Sequence, residues 1–174
     1  MTGVRLEHAV TVVHPRVPLV IARYGSSELR TVSIRAIADD GAEGWGEAAP
    51  NRFYGENPES VIAALERFAP VLARHDPWDL EGAEREMNGV LRFNGSAKSG
   101  VSAALHDLAA KRLGVPLHRM WGLDPARAPK SSYTIPIAAT EAEIAERVEQ
   151  AAPYPVLKIK LGTDRDERIV RVVR

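Results

Sequence analysis

Two lysines near the end of the chain have a spacing that suits proton-transfer chemistry. Lys158 and Lys160 lie within residues 156–162, an otherwise apolar run that ends in glycine and is typical of a short buried strand. Because side chains alternate between the faces of a strand, both lysines point the same way and apolar residues occupy the other face. Adjacent ammonium groups repel each other and lose water if enclosed, and both effects favour the neutral amine of a general base. Lysines also protect exposed strand edges from aggregation, so a solvated edge strand is the alternative.

The elements around this strand follow a β-α-β-α pattern. Residues 131–138 are predicted as a strand, and Thr140 and Glu143 have the spacing of a capping box that opens a helix. The lysine strand comes next, at residues 155–161, and residues 163–166 open another helix. Such alternation predicts parallel strands joined by crossover helices. Two such units cannot close a barrel and the chain stops inside the last helix, so we expect a pattern that is cut off.

The first part of the chain predicts an antiparallel meander of about three strands. The strands are expected at residues 4–13, 29–38 and 43–48, and Asp39-Asp40-Gly41 supplies a hairpin turn between the last two. Two prolines within residues 14–18 favour an irregular loop that continues to the next strand.

Three helices are predicted after this meander. Asn57 and Pro58 are the residue types preferred at the N-cap and the first position of a helix, so the first helix begins there. Further helices are expected over residues 79–91 and 96–113. Gly114 is a typical residue for the end of the last one.

The composition limits what kind of protein this is. A chain of 174 residues forms one or two small domains. Its formal net charge of +0 argues against a nucleic acid or an anionic membrane as the main partner. It has no cysteine, so a disulfide framework and a thiolate site are excluded. We find no apolar run long enough to span a membrane and no signal peptide, and therefore expect a cytoplasmic protein.

Several short motifs follow one another along the chain. They are Gly44-Trp45-Gly46-Glu47-Ala48-Ala49-Pro50, Tyr54-Gly55-Glu56, Ser96-Ala97-Lys98-Ser99-Gly100-Val101, Ala104-Leu105-His106-Asp107-Leu108, Gly114-Val115-Pro116-Leu117, Met120-Trp121-Gly122-Leu123, Tyr133-Thr134-Ile135 and Leu157-Lys158-Ile159-Lys160-Leu161-Gly162. In this order they resemble the enolase superfamily, most specifically its muconate-lactonizing branch and, within it, the dipeptide epimerases.

The resemblance implies a fold in two parts. Residues 1–125 would form an α+β capping domain, with an antiparallel three-stranded meander and helices. Residues 126–174 would form the first two β/α units of a (β/α)-type, TIM-like barrel, truncated at this point. Barrels of this kind carry their catalytic groups at the C-terminal ends of their strands. The lysine strand would be one of these barrel strands.

The resemblance also implies a reaction. In the superfamily the second lysine of the pair, here Lys160, removes or returns the proton α to a substrate carboxylate. Lys158 would lie near that carboxylate and help to keep Lys160 neutral. The activity would be that of an isomerase that epimerises L-Ala-D/L-Glu-type dipeptides. An α-proton beside a carboxylate is very weakly acidic, so a divalent cation, usually Mg²⁺, must stabilise the enediolate.

The resemblance implies substrate contacts for three further residues. Thr134, on the first barrel strand, matches a position that contacts the dipeptide in the superfamily, with strand packing as the alternative role. Arg23 lies in a loop that folds over the substrate, where it could pair with a carboxylate; the alternative is a solvated arginine. Tyr54 lies in the second capping loop and could shape specificity, or it could simply anchor a turn.

The resemblance places the metal ligands on the next three barrel strands, beyond Arg174, so we assign no metal ligand within this chain. Asp164 and Asp166 are expected to place favourable charge at a helix N-terminus instead. We therefore expect this chain alone to be inactive. The alternatives are another enzyme of the branch, either a cycloisomerase, an o-succinylbenzoate synthase or an N-acylamino acid racemase, or a non-catalytic truncated capping domain. The oligomeric state, a homo-oligomer included, is left open.

Overall fold

The computed structural model describes residues 3–22 and 24–174. These residues form two compact units. The first contains residues 3–13 and 30–125, and the second contains the remaining described residues. Residues around the predicted loop at 14–29 therefore fold with the later part of the chain, whereas the sequence places them in a capping domain of residues 1–125. That domain division stays a prediction.

The strands and helices are β1 (Val4–Val13), β2 (Leu19–Ile21), β3 (Tyr24–Ser26), β4 (Leu29–Ala38), β5 (Glu43–Ala48), α1 (Pro58–Leu72), α2 (Leu80–Val90), α3 (Gly95–Leu113), α4 (Leu117–Met120), β6 (Ser132–Ile135), α5 (Glu141–Gln150), β7 (Val156–Ile159) and α6 (Asp166–Val173). Apart from β2, β3 and α4, the strands and helices follow the predicted order. Within the described ranges, no helix is long and apolar enough to cross a membrane.

The first unit is a three-stranded sheet, in the order β1-β4-β5, packed against helices. β4 and β5 are antiparallel and are joined by the predicted turn, where Gly41 has a φ of +83° that glycine adopts without strain. Val32, Ile34 and Ala36 alternate along β4 and are fully buried, so they form its core face. The helices α1, α2 and α3 complete this core with Leu65, Phe68, Met87, Val101 and Leu105.

Glycines let β5 and α3 pack backbone against backbone. A Cβ atom on Gly44 would stand 2.1 Å from the carbonyl oxygen of Ala104, and one on Gly46 would stand 2.0 Å from that of Gly100. On the helix, a Cβ on Gly100 would meet the Ile34 side chain at 2.7 Å. Any side chain at these points would force the strand and the helix apart. The Gly-Trp-Gly motif is therefore a packing surface.

The second unit contains a parallel pair of strands, β6 and β7, as predicted. Their apolar face packs against α5 and α6 in a second core that includes Ile135, Ile144 and Ile169. Both strands are shorter than the sequence predicts. β6 ends at Ile135 because the next residue, Pro136, has no N–H to donate to the ladder.

The second unit also contains a hairpin that the sequence does not predict. β2 and β3 pair in antiparallel fashion where an irregular loop was expected, with Val20 opposite Gly25. The backbone N–H of Ile137, just after β6, donates to the carbonyl oxygen of Val20 at 3.1 Å. This bond belongs to the tertiary structure, so the local prolines and glycine could not reveal it.

Candidate active site

The two lysines and Thr134 lie on one face of the parallel strand pair. Thr134 is directly opposite Lys158 in the register of β6 and β7, and Lys160 follows two residues later. The backbone N–H of Lys160 still donates to the carbonyl oxygen of Ile135 at 3.0 Å, so the strand geometry continues past the end of β7. Leu157 and neighbouring apolar residues face the helices on the other side. The predicted shared face is therefore present, while the roles of these residues stay predictions.

The described residues do not enclose the lysine pair. Lys158 is exposed, and Lys160 and Thr134 are half-buried. The enclosure that would favour a neutral amine is thus not supplied by this part of the molecule. What the second unit supplies is the placement of two amines and a hydroxyl on one face.

The loop that follows the lysine strand is held by Asp166. Its carboxylate accepts hydrogen bonds from the backbone N–H of Gly162 at 2.8 Å, the N–H of Thr163 at 2.9 Å and the Thr163 hydroxyl at 3.0 Å. These bonds, the Thr163 N–H above all, hold the pKa of Asp166 below its ordinary value of 3.8. Asp166 is the first residue of α6, as expected, and it also fixes the backbone two residues after Lys160.

Two arginines bind the loop that follows β6. Arg147, in the last turn of α5, donates to the carbonyl oxygens of Pro136 at 3.2 Å and Ile137 at 3.4 Å. Arg165, just before α6, donates to the carbonyl oxygen of Ala138 at 2.9 Å and to that of Ala139. The sequence gives no signal for these contacts, since the partners are backbone atoms that any residue type carries.

The β2–β3 hairpin meets the same two loops. Its Val20 carbonyl accepts from Ile137, and Ala22 lies so close to Gly162 that a Cβ on that glycine would be 2.5 Å from the Ala22 Cβ. The hairpin tip therefore contacts the backbone just beyond the lysine strand. Arg23, predicted to bind substrate, lies outside the described residues.

A groove of about 1020 Å³ opens beside Thr134. It is lined by the Tyr133 and Tyr154 rings, whose centroids are 5.0 Å apart, and by Arg16, which comes from the segment before β2. Arg16 was not singled out from the sequence. Arg16 thus brings a basic side chain to the groove that Thr134 also lines.

Tyr54 belongs to the first unit and lies at the surface. It ends a short 3-10 helix, Arg52–Tyr54, and its side chain is 81% exposed. Together with Phe53 and Phe93 it lines a separate cavity of about 710 Å³. An exposed aromatic ring beside a cavity is suited to ligand contact, which is the role predicted for Tyr54, but a substrate role stays a prediction.

Glu56 fixes the loop that carries Tyr54. Its carboxylate accepts from the Ser96 hydroxyl at 2.5 Å and, at 3.4 Å, from the Ser96 N–H in the first turn of α3. A negative charge at this end of a helix is favourable, and α3 has no hydrogen bond from its own N-cap side chain. The loop is thereby anchored to a rigid element.

The part of the chain that the structure describes offers no metal centre. It has no group of three or more His, Cys, Asp or Glu side chains able to hold a metal ion. Asp107 is occupied by the Trp45 N–H and the Lys111 ammonium, each at 2.7 Å, and the Nδ1 atom of its neighbour His106 lies 2.8 Å from the Ser102 carbonyl. Asp107 thus links β5 to α3 within the first unit. A magnesium ion does not fit the donors found here.

Comparison with known proteins identifies one family. Residues 5–122 match the model of the mandelate racemase / muconate lactonizing enzyme N-terminal domain. An L-Ala-D/L-Glu epimerase from Bacteroides thetaiotaomicron is 32% identical over 88% of this chain. Muconate cycloisomerase 1-2 from Acinetobacter lwoffii is 34% identical over 76% of it.

A solved structure supports the fold over nearly the whole chain. The dipeptide epimerase from Cytophaga hutchinsonii, in complex with Mg and the dipeptide D-Ala-L-Val, superposes on 99% of this chain with a TM-score of 0.90. At 22% identity this likeness establishes the fold alone. The chain spans 40% of the Bacteroides protein, 36% of the Acinetobacter protein and 48% of the Cytophaga chain, less than half in each case.

Proposed function

The chain belongs to the mandelate racemase / muconate lactonizing enzyme family, and on that premise we propose that it carries one of the two bases of a dipeptide epimerase. The substrate would be an L-Ala-D/L-Glu-type dipeptide, and the reaction a proton transfer at the carbon next to its carboxylate. The similarity to the Bacteroides epimerase supports this choice within the family.

The observation that carries the proposal is the shared face of Thr134, Lys158 and Lys160. Lys160 would remove or return the α-proton as a neutral amine. Lys158 would lie beside the carboxylate, where its positive charge attracts the substrate and favours the neutral form of Lys160. Thr134, opposite Lys158 on β6, would contact the dipeptide. Arg23 and Tyr54 are proposed as further substrate contacts.

The second unit would be the beginning of a (β/α) barrel. Parallel β6 and β7, joined by the crossover helix α5, are the arrangement from which such barrels are built. The face that carries the lysines would then look into the barrel, and residues 1–125 would form its capping domain. Enclosure of the lysine pair would come from the rest of the barrel.

Magnesium is implied by the family and is present in the Cytophaga structure. A divalent cation stabilises the negative charge that develops when a proton leaves a carbon next to a carboxylate. The described residues do not provide its ligands, so no step in this chain is assigned to it.

The test is exchange of the dipeptide α-proton in D₂O. The intact mass of the native-source protein is measured first, to establish whether it matches full-length relatives, and the protein is then incubated with L-Ala-L-Glu and Mg²⁺. We expect deuterium at the α-carbon of the second residue, and the rate of epimerisation to fall at least about a hundredfold in Lys160→Met. The matched control is Lys130→Met, an exposed lysine outside the strands, which should exchange at the wild-type rate.

Two results would count against the proposal. Absence of exchange with dipeptides of several side-chain classes would rule out the proposed epimerase activity. Epimerisation that persists in Lys160→Met would show that Lys160 is not one of the two bases, because inversion at the α-carbon needs both. A mass equal to this chain alone would direct the search to a partner chain that completes the barrel.

A cycloisomerase is the second candidate, because the Acinetobacter muconate cycloisomerase is 34% identical to this chain. Ring closure of a muconate removes its conjugated diene, so the ultraviolet absorbance of the substrate would fall. Loss of that absorbance without dipeptide exchange would favour this alternative.

A further inference from the structure

The guanidinium of Arg165 joins the loops that follow the two parallel strands. Arg165 belongs to the loop after β7, and its two terminal nitrogens donate to the carbonyl oxygens of Ala138 and Ala139 in the loop after β6. The loop on its own side is fixed by the hydrogen bonds from Gly162 and Thr163 to Asp166. The Arg165 side chain thus connects the loop after β7 to the loop after β6.

The β2–β3 hairpin depends on the spacing between these two loops. Its Val20 carbonyl is bound by the N–H of Ile137, one residue before the first carbonyl that Arg165 holds. Its other contact, Ala22, lies against Gly162, three residues before Arg165. If the two loops moved apart, the hairpin could not keep both contacts.

We propose that Arg165 is a positioning residue that holds the β2–β3 hairpin over the end of the lysine strand. This inference rests on the proposed function for its catalytic meaning: the hairpin would cover the substrate only while both strand-end loops keep their spacing. Arg165 touches backbone carbonyls and acts through them.

The geometry favours arginine over lysine at this position. The two terminal nitrogens of one planar guanidinium bind the carbonyl oxygens of two consecutive residues. The single ammonium group of a lysine has no such planar pair of donors. Arg147 binds the two preceding carbonyls but comes from α5, which belongs to the β6 side of the structure. Of these two arginines, Arg165 is the one that bridges the two βα units.

Residue-resolved amide exchange on the 174-residue chain tests this role. The Ile137 amide reports the hairpin contact, and the Lys160 amide, bound to the Ile135 carbonyl, reports the strand pair itself. In Arg165→Met we expect Ile137 to exchange at least about tenfold faster, the effect of losing a hydrogen bond from a charged donor, while Lys160 changes little. Arg165→Lys should fall between the wild type and Arg165→Met. Arg168→Met, an exposed arginine of α6, is the matched control and should leave both amides unchanged.

Three results would overturn the inference. The first is an unchanged Ile137 amide in Arg165→Met. The second is equal acceleration of Ile137 and Lys160, which would mean that Arg165 only stabilises the whole unit. The third is the same acceleration in Arg168→Met. If Arg165→Met does not fold, Arg165→Lys replaces it in the test: faster exchange at Ile137 than at Lys160, relative to the wild type, supports the inference, and equal acceleration of both overturns it. Amide exchange requires no turnover, so failure of the epimerase proposal would leave this result standing.

Discussion

Gly46→Ala should strongly destabilise the first unit. The added Cβ would lie 2.0 Å from the carbonyl oxygen of Gly100 and 2.8 Å from the backbone N of Ala104. Ordinary van der Waals contact begins near 3.4 Å, so β5 and α3 would have to separate by roughly 1.4 Å, the difference between the two distances. Both obstructing atoms belong to the helix backbone, so no side chain can rotate away to make room.

The size of the effect follows from how cores respond to overpacking. Inserting a methyl group into a well-packed core costs about 1–3 kcal/mol where neighbours can adjust. Here the whole of α3 must shift against β5. Ile34 and Val101, which are fully buried, would then lose packing contacts with the rest of the core. We therefore expect the free energy of unfolding to fall by about 3 kcal/mol or more.

Urea unfolding followed by tryptophan fluorescence measures this change. The three tryptophans, Trp45, Trp78 and Trp121, all lie in the first unit, so their signal reports that unit. The matched control is Gly89→Ala in α2, where a Cβ would meet nothing within 4 Å. Because glycine is unfavourable inside a helix, this control should raise stability by about 0.5–1 kcal/mol.

A small effect would refute the packing argument. If Gly46→Ala lowered stability by less than about 1 kcal/mol, as an ordinary surface substitution does, β5 and α3 could not be in backbone contact. If the slope of the unfolding free energy against urea concentration is the same in both variants as in the wild type, the comparison refers to the same unfolding transition.

Two further predictions concern the end of the lysine strand. Gly162→Ala should destabilise the second unit by about 1–3 kcal/mol, because φ at Gly162 is +122° and the new Cβ would meet Ala22; faster amide exchange across β6 and β7 would measure it, and the control Gly95→Ala should leave that exchange unchanged. Asp166 has a lowered pKa, so the stability it contributes is present above pH 3.8 and is lost as the pH falls through its folded-state pKa. The Gly162 and Thr163 amide chemical shifts should therefore titrate with a midpoint below 3.8, and a midpoint at or above that value would contradict the assigned hydrogen bonds.

Local signals in the sequence predicted much of the fold because they act over a few residues. Asn57 was expected to cap α1, and its side chain accepts from the Ser60 N–H at 2.7 Å. Thr140 was expected to cap α5, and it accepts from Glu143 at 3.2 Å. Gly114 ends α3 with a φ of +66°. Each interaction spans at most five residues, so residue type and spacing are enough to predict it.

The candidate site was predicted in part. The alternation of a strand is sufficient to put Lys158 and Lys160 on one face, but the register that sets Thr134 opposite Lys158 requires β6 and β7 to be paired. The proposed role of the two lysines depends on their enclosure by other parts of the protein, which no pattern of neighbouring residues determines.

By itself, the sequence determined the strands β1, β4 and β5, the starts of α1 and α5, the end of α3 and the shared face of the two lysines, since these depend on periodicity and capping. Only the tertiary structure decided the β2–β3 hairpin, its contacts with Ile137 and Gly162, and the bridge from Arg165 to Ala138 and Ala139. The partners in these contacts are backbone atoms far apart in the chain. Because every residue carries the same N–H and C=O groups, residue type does not reveal which of them will meet.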